Sequence, residues 1–494
     1  MSFDRAVSIV TPTEMSAIDR DAARSGIDSF RLMSSAGLAV SAAALRLFPQ
    51  TLRFAVLCGP GNNGGDGYIA AAALRLSGAE VAVYALGDPA GLTGDAARAH
   101  AQWAGGVEAL QAYRPEPGDI VIDALFGAGL SRPVADEAAL VIEAITQAGF
   151  PVLSVDLPSG VDGRTGQVLG ASFHASHTVT FMARKPGHLL LPGRTLCGSL
   201  EVFDIGIPER LLRNHISGLC ENGPHLWAGL THTLDPSAHK FKRGHLAIFS
   251  GGPLATGAAR LSAVAGLKAG AGLVTVASPS AALGANAAHL TAVMLKEIED
   301  AAALSRWLAD KRINAFVLGP GFGDLERARQ YAVMLGDRAL VLDADGITAF
   351  RNDPEPLFNA FAGGETRLVM TPHEGEFARL FADIDADQTL SKVDRAIAAA
   401  KHSHAVIVYK GADTVIAAPD GRAAINANAP PWLATAGSGD TLAGIIGAHL
   451  AQGMPAFEAA AAGVWRHGRA GVKAGEGLTA DDLAAAIEPL PAAR

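Results

Sequence analysis

Two short stretches of the chain hold residue types able to do chemistry. Gly437-Ser438-Gly439-Asp440 stands immediately before an apolar helical run, Thr441–Ala451. Successive backbone N–H groups at a helix start form an anion hole, and the helix dipole strengthens it. An aspartate beside that hole can take the proton of an attacking hydroxyl. Phosphoryl transfer asks for little beyond such positioning and charge stabilisation. The plainer alternative is a capped helix after a loop. The second stretch is Gly59-Pro60-Gly61-Asn62-Asn63-Gly64-Gly65-Asp66-Gly67, between the apolar run Phe54–Cys58 and an alanine-rich helical pattern from Tyr68 to Leu76. Strand, glycine loop and helix in that order direct free N–H groups at an anion or polar ligand. Five glycines in nine residues suggest positive φ and close approach of a ligand. The two asparagine carbonyls suit a hard cation. The stretch is neither a P-loop nor a G-x-G-x-x-G fingerprint, and its plain alternative is a tight strand-to-helix turn.

Other candidates sit at the ends of apolar runs. Asp123 and Asp156 close two of them, and Lys185 follows a third. Lys410-Gly411-Ala412-Asp413-Thr414 suits nucleotide phosphates and ribose, although Lys-Gly after a strand is also a common turn. Thr371-Pro372-His373-Glu374-Gly375-Glu376 offers a helix start with a histidine and two carboxylates, or simply a Thr-capped acidic first turn. His402 and His404 read as a solvated helix end, since further metal ligands do not accompany them.

The elements that must position these groups alternate. Helical spacing at 13–25 and 29–48 precedes strands at 54–58, 80–85, 120–123, 152–155 and 175–181, with helices at 68–77, 93–103 and 136–147 between them. This implies α/β architecture with a mostly parallel sheet covered on both faces, in which ligands bind beyond the carboxyl ends of the strands. Residues 209–240 lack periodicity and hold turn signals such as Asn222-Gly223-Pro224 and Asp235-Pro236, placing a boundary near residue 220. The alternation then restarts, with strands at 244–250, 273–277, 315–318, 339–342, 367–370 and 405–409 and a helix at 255–270.

Length and composition agree. A chain of 494 residues calls for two or three domains. Apolar residues at 49% and charged ones at 18% allow large cores and argue against long disorder. A net charge of −9 argues against a general nucleic-acid surface. Three cysteines without metal spacing, no signal-peptide pattern and no membrane-length apolar run suggest a reduced, cytoplasmic setting.

Taken together the motifs resemble a family. Gly-Pro-Gly-Phe-Gly (319–323), Thr-Pro-His-Glu-Gly-Glu-Phe (371–377), Lys-Gly-Ala-x-Thr (410–414) and Ala-Gly-Ser-Gly-Asp (436–440) resemble the ribokinase-like dehydratase domain of NAD(P)H-hydrate repair enzymes. The Gly59–Gly67 stretch and Val-Asp-Leu-Pro-Ser-Gly-Val-Asp-Gly (155–163) resemble their epimerase domain. Their order is that of the bifunctional bacterial form. The resemblance implies a Rossmann-like three-layer sandwich over 1–220 as epimerase, and a ribokinase-like α/β sandwich over 221–494 as ADP-dependent dehydratase. The first would interconvert the R and S forms of hydrated NADH and NADPH (NADHX and NADPHX). The second would restore the cofactor from the S form, with ADP giving AMP and phosphate.

The resemblance also carries residues. Substrate contacts fall on Asn62, Asn63, Gly64, Gly65 and Asp66, on Gly127, Ala128, Gly129, Leu130, Ser131, Arg132 and Pro133, and on Asp156. Potassium ligands fall on Asn63, Asp123 and Ser159. In the second half, substrate contacts fall near Ala258, Gly323, His373 and Asp440, and nucleotide contacts on Lys410, Gly411, Ala412, Asp413, Thr414 and Gly439, with magnesium bridging the phosphates. Asp440, Asp156 and Lys185 are the candidate catalytic groups, and a homo-oligomer is expected. Two departures stand out. Asp413 puts an acid in the nucleotide loop, so its side chain should point away, and Ser34 replaces the acid of the family's Leu-Met-Glu-x-Ala-Gly. A small-alcohol kinase, and a non-catalytic binding role for the first half, remain as alternatives.

Overall fold

The computed structural model describes residues 7–51, 53–230 and 240–491; the turn signal Asp235-Pro236 lies outside them. The chain divides into two compact units, Met1–Leu219 and Cys220–Arg494.

The first unit is built on seven strands: β1 (Arg53–Cys58), β2 (Glu80–Ala85), β3 (Val107–Ala109), β4 (Ile120–Ala124), β5 (Val152–Val155), β6 (His177–Phe181) and β7 (Ser199–Phe203). They form one sheet in the order β3-β2-β1-β4-β5-β6-β7, and every paired neighbour is parallel. The side chains of β1 alternate between two cores. Phe54, Val56 and Cys58 pack with Val40, Tyr68 and Leu74, whereas Ala55 and Leu57 pack with Val121, Ile142 and Phe173. Burial on both faces is why the run reads as continuously apolar. Strand order reverses between β1 and β4, which opens a crevice beyond their carboxyl ends.

The helix Pro12–Arg24 starts with a capping box between Thr11 and Glu14. Its Ile18 and Ala22 are fully buried against Val10, Met182, Leu211 and Leu212. That burial fixes the rotation of the helix about its axis.

The helix after β1 runs Asn62–Leu76, so it begins six residues earlier than Tyr68, where the periodicity placed it. The glycines do not act as expected either: none from Gly59 to Gly67 has positive φ. Their role is close packing of the protein against itself. A Cβ on Gly64 would lie 2.0 Å from the Gly59 carbonyl oxygen, and one on Gly59 would lie 1.8 Å from that of Leu125. Glycine lowers intrinsic helix propensity, which hid this first turn.

The second unit carries β8 (Leu219–Glu221), β9 (His245–Phe249), β10 (Leu273–Ser278), β11 (Met294–Glu297), β12 (Ala315–Leu318), β13 (Ala339–Leu342), β14 (Leu368–Met370), β15 (Val406–Tyr409), β16 (Val415–Ala417) and β17 (Ala423–Ile425). The sheet order is β11-β10-β9-β12-β13-β14-β15-β16-β17-β8. It is parallel from β11 to β15, and β15, β16 and β17 pair antiparallel. The helix Ser438–Ala451 is apolar on all sides because it is buried on all sides. Glycines let its neighbours close in: a Cβ on Gly444 would lie 2.1 Å from the Ser262 carbonyl oxygen. Strands β3, β7, β8, β11, β16 and β17, of three to five residues each, were not among the strands read from the sequence.

Candidate functional site

In the first unit a cavity of about 530 Å³ lies at the β1/β4 crevice. Asn62, Asn63, Asp66, Gly127, Ala128, Gly129, Leu130, Asp156 and Lys185 line it. Other expected residues do not. Gly64 and Gly65 are buried inside the helix, and Ser131, Arg132 and Pro133 are exposed beyond the lining.

Asp156 follows β5 with φ of 65°, in the left-handed region that aspartate tolerates better than most side chains. His188 holds it there. The Lys185 N–H donates to His188 Nδ1 at 2.8 Å, so the ring proton is on Nε2 and donates to the Asp156 carbonyl oxygen at 2.7 Å. Burial pushes His188 down to about 4 and keeps it neutral. The Asp156 carboxylate is tied on both oxygens: Oδ1 accepts from Lys185 Nζ at 2.7 Å and Thr180 Oγ1 at 2.8 Å, and Oδ2 accepts from the Ala128 N–H at 2.8 Å. Burial raises its pKa, but Lys185 and these hydrogen bonds outweigh it and hold it at about 2. Asp156 is therefore a fixed anion, and Lys185, itself 2% exposed, is its counter-ion.

Two further carboxylates face the cavity. Asp66 comes from the helix after β1, and Asp19 from Pro12–Arg24. Asp19 reaches water through the cavity, yet protein crowds it enough for lost hydration to push it to about 6. Asp66 is raised well above the usual carboxylate range by burial, with Asp156 and Asp19 adding to it. Asp19 was missed in the sequence, where it reads as one more charge on an amphipathic helix.

Beside the cavity Asp123 is fully buried and accepts from Ser159 Oγ at 2.5 Å, the Ser159 N–H at 2.8 Å, Ser154 Oγ at 2.9 Å and the Leu125 N–H at 3.3 Å. All four donors are neutral, and desolvation leaves its pKa near 6. Ser159 Oγ also lies 3.2 Å from the Phe126 carbonyl oxygen; Asn63 Nδ2 is buried without a partner, and turning this amide over would present its carbonyl oxygen at that place instead. A buried anion amid oxygen atoms, with no cation among these partners, fits a weakly held monovalent cation better than a transition metal. Among the described residues no cluster of three or more His, Cys, Asp or Glu side chains could hold a metal.

In the second unit the ends of three adjacent strands and one helix meet. Asp343 follows β13, Lys410 follows β15, Glu376 lies in the helix after β14, and Asp440 lies in the first turn of Ser438–Ala451. Lys410 Nζ lies 2.7 Å from Asp343 Oδ1 and 4.0 Å from Glu376 Oε2. Burial lowers the Lys410 pKa, but Asp343, with Glu376 and Asp440, more than offsets it and the pKa is raised. The helix N-cap is Gly437, with φ of 85° and no side-chain cap, which leaves the first N–H groups open. A Cβ on Gly439 would lie 3.6 Å from Lys410 Nζ and 3.7 Å from Asp343 Oδ2, so glycine there keeps the space over the ion pair clear. Burial, then repulsion from Asp343, raises Asp440 to about 6.

The remaining expected residues spread around this cluster. His373 caps the helix Glu374–Leu380, its Nδ1 accepting from the Gly375 N–H at 3.0 Å. The cap is thus His373 and not Thr371, which is buried at the strand end. Gly323 has φ of 80° and donates to Asp345 Oδ2 at 2.9 Å, and Ala258 packs beside Gly321. Asp413 is buried and ion-paired with Lys392. Thr414 Oγ1 donates to the Gly411 carbonyl oxygen at 2.7 Å and closes the loop. Asp343, missed as a site residue, carried one usable signal: a carboxylate directly after a buried parallel strand. His402 and His404 are exposed at a helix end, and Ser34 Oγ donates within its own helix to the Phe30 carbonyl oxygen at 2.7 Å.

A family model described as NAD(P)H-hydrate dehydratase matches residues 246–489, and one described as YjeF-related protein N-terminus matches residues 29–187. The bifunctional NAD(P)H-hydrate repair enzyme Nnr of Thermofilum pendens is 37% identical, over 97% of this chain and 94% of that protein. Its namesake in Moorella thermoacetica is also 37% identical, over 94% of this chain and 92% of that protein. Among solved structures, a ribokinase-like superfamily protein from Enterococcus faecalis V583 is 25% identical with a TM-score of 0.48, covering 55% of this chain and 94% of that chain. No described helix is long and apolar enough to cross a membrane.

Proposed function

The chain belongs to the family of bifunctional NAD(P)H-hydrate repair enzymes, and from that premise we propose that it epimerises hydrated NADH and NADPH in residues 1–220 and dehydrates the S form in residues 221–494. The observation that carries this reading is the presence of two chemically different centres in one chain. One is a water-accessible cavity with a fixed anion and two protonatable carboxyls. The other is an open helix N-terminus with a lysine and a carboxylate poised near 6.

In the second centre Asp440 takes the proton of the C6 hydroxyl as its oxygen attacks the terminal phosphorus of ADP. The N–H groups of Ser438 and Gly439 and the Lys410 ammonium receive the charge that develops. The phosphorus–oxygen bond to AMP breaks with its electron pair on AMP. The new phosphate then leaves with the C6–O electron pair as the ring nitrogen lone pair forms the N1=C6 bond, and loss of a C5 proton to water gives the C5=C6 double bond of the reduced cofactor. Magnesium would neutralise charge on the nucleotide phosphates. In the first centre Asn62, Asn63 and the Gly127–Leu130 loop hold the dinucleotide. Asn63, Asp123 and Ser159 would hold potassium, whose charge would neutralise the buried Asp123 carboxylate and order the loop. The protein works in the cytoplasm as a homo-oligomer.

The test is a coupled assay on mixed hydrate isomers with ADP and with ATP in turn. Recovery of reduced-nicotinamide absorbance with release of phosphate is expected, faster with ADP. A stable phosphorylated product without that recovery would make the second unit an ordinary kinase. A parent protein that leaves R-to-S interconversion at its uncatalysed rate would reduce the first unit to a binding module.

A further inference from the structure

The first-unit cavity has a proton problem. Epimerisation at C6 has to move a proton on the C6 oxygen. Asp156 is too firmly ionised to supply one, since Lys185, Thr180 and the Ala128 N–H occupy its oxygens. Lys185 is engaged with Asp156, Thr180 Oγ1 at 2.8 Å and the Phe181 carbonyl oxygen at 3.4 Å. His188 has both ring nitrogens committed to the backbone.

Asp19 and Asp66 are different. On the helix Pro12–Arg24, Met15, Asp19 and Ala23 form an i, i+4, i+8 stripe that lines the cavity, with Pro12 and Ser16 beside it. Ile18 and Ala22, one position back, are locked in the core, which turns the helix face that carries Asp19 to the cavity. Asp66 enters the same cavity from the helix after β1. Only burial and neighbouring charges act on these two carboxyls, with no hydrogen bond to either among the described residues. The other charged groups facing the cavity are Asp156, Lys185 and Asp95, and Asp95 is paired with Arg98 at 3.0 Å.

We propose that Asp19 and Asp66 are the proton-carrying carboxyl pair of the first unit, with Asp19 the member that exchanges a proton with the C6 oxygen of a hydrated reduced nicotinamide. This rests on the proposed epimerase activity. The Asp19 carboxyl gives its proton to the C6 hydroxyl. The C6–O bond breaks with its electron pair on oxygen, water departs, and the ring nitrogen lone pair satisfies C6. Water returning on the other face forms the new C6–O bond and gives one proton back to the Asp19–Asp66 pair, so the enzyme ends as it began. The two carboxyls line one cavity and the charge of Asp19 acts on Asp66, so they titrate as a coupled pair. Asp156 and Lys185 position the ring and are not the proton carriers.

The test measures R-to-S interconversion by the full-length protein against pH, for the parent, Asp19→Asn and Asp19→Glu. Dehydration of pure S hydrate by the second unit serves as the internal control for folding. Asp19→Asn is expected to lower interconversion by about 10²–10⁴-fold and to leave dehydration unchanged. It is also expected to move the alkaline limb of the profile to lower pH, because Asp66 loses a like-charged neighbour. Asp19→Glu should restore part of the rate. An Asp19→Asn rate within about three-fold of the parent, or a lost rate with the limb unmoved, would overturn the proposal. A parent protein that does not interconvert the isomers at all would instead overturn the epimerase reading.

Discussion

Lys185 Nζ stands 2.7 Å from Asp156 Oδ1, and both side chains are largely withdrawn from water, at 3% and 16% exposure. Removing one partner of such a pair strands the other charge. Lys185→Met should therefore destabilise the first unit by about 3–5 kcal/mol. Trp103 is the only tryptophan before residue 220, so a fluorine label on it would report unfolding of this unit alone in denaturant. A loss under about 1 kcal/mol would mean the pair contributes little. The sign with pH follows from the Asp156 pKa of about 2. A depressed carboxylate stabilises above its unfolded value of about 3.9 and loses that contribution as pH falls toward about 2. The parent should show this acid-side loss, and Lys185→Met should not.

Asp440 should set the acidic limb of dehydration. A base must be ionised, and its pKa is raised to about 6, so the rate should fall as pH drops through about 6. Asp440→Asn should cost about 10²–10⁴-fold in kcat, and its residual rate should lack that inflection. A parent profile flat between about pH 5 and 7 would rule out Asp440 as the titrating base.

The glycines at the start of the helix after β1 should differ sharply in their tolerance of alanine. A Cβ on Gly64 would lie 2.0 Å from backbone oxygen, whereas one on Gly61 meets nothing within 4 Å and has φ of −115°. Gly64→Ala should lose at least about 1–3 kcal/mol by overpacking, and Gly61→Ala should stay within about 0.5 kcal/mol. Denaturant curves compare them directly; equal effects would contradict the packing role given to Gly64.

Lys392 should matter for nucleotide binding through Asp413. Its ammonium neutralises that carboxylate, lies 4.9 Å from the Tyr409 ring centroid and holds the 410–414 loop. Lys392→Met leaves a buried anion in the loop and should raise the nucleotide KM about tenfold with little change in kcat, a difference of about 1.4 kcal/mol. Asp413→Asn in the same chain should restore most of it, because the two effects cannot add if the pair acts as a unit. An unchanged KM in Lys392→Met would show that the loop does not need the pair.

Much of this site was legible because strand ends are legible. Asp123, Asp156, Lys185 and Lys410 each follow an apolar run, and parallel sheets place ligands at those ends. Asp440 was marked by the glycines before it. The antiparallel strands β16 and β17, three residues each, were not legible, whereas the equally short β14 was marked by the Thr-Pro-His-Glu run that follows it.

The sequence alone determined the alternation of strands and helices, the restart near residue 220 and the residue types at the strand ends, because hydrophobic period and glycine placement are local properties of the chain. The tertiary structure decided what those residues do. It turned the Gly59–Gly67 stretch from an open loop into the packed first turn of a helix, because only folding brings the Gly59 and Leu125 carbonyls against it. It paired Lys185 with Asp156 and Lys410 with Asp343 across strands distant in sequence. It also brought Asp19 to the cavity, since the burial of Ile18 and Ala22 sets which way the neighbouring residue faces, and that burial depends on Met182, Leu211 and Leu212 far along the chain.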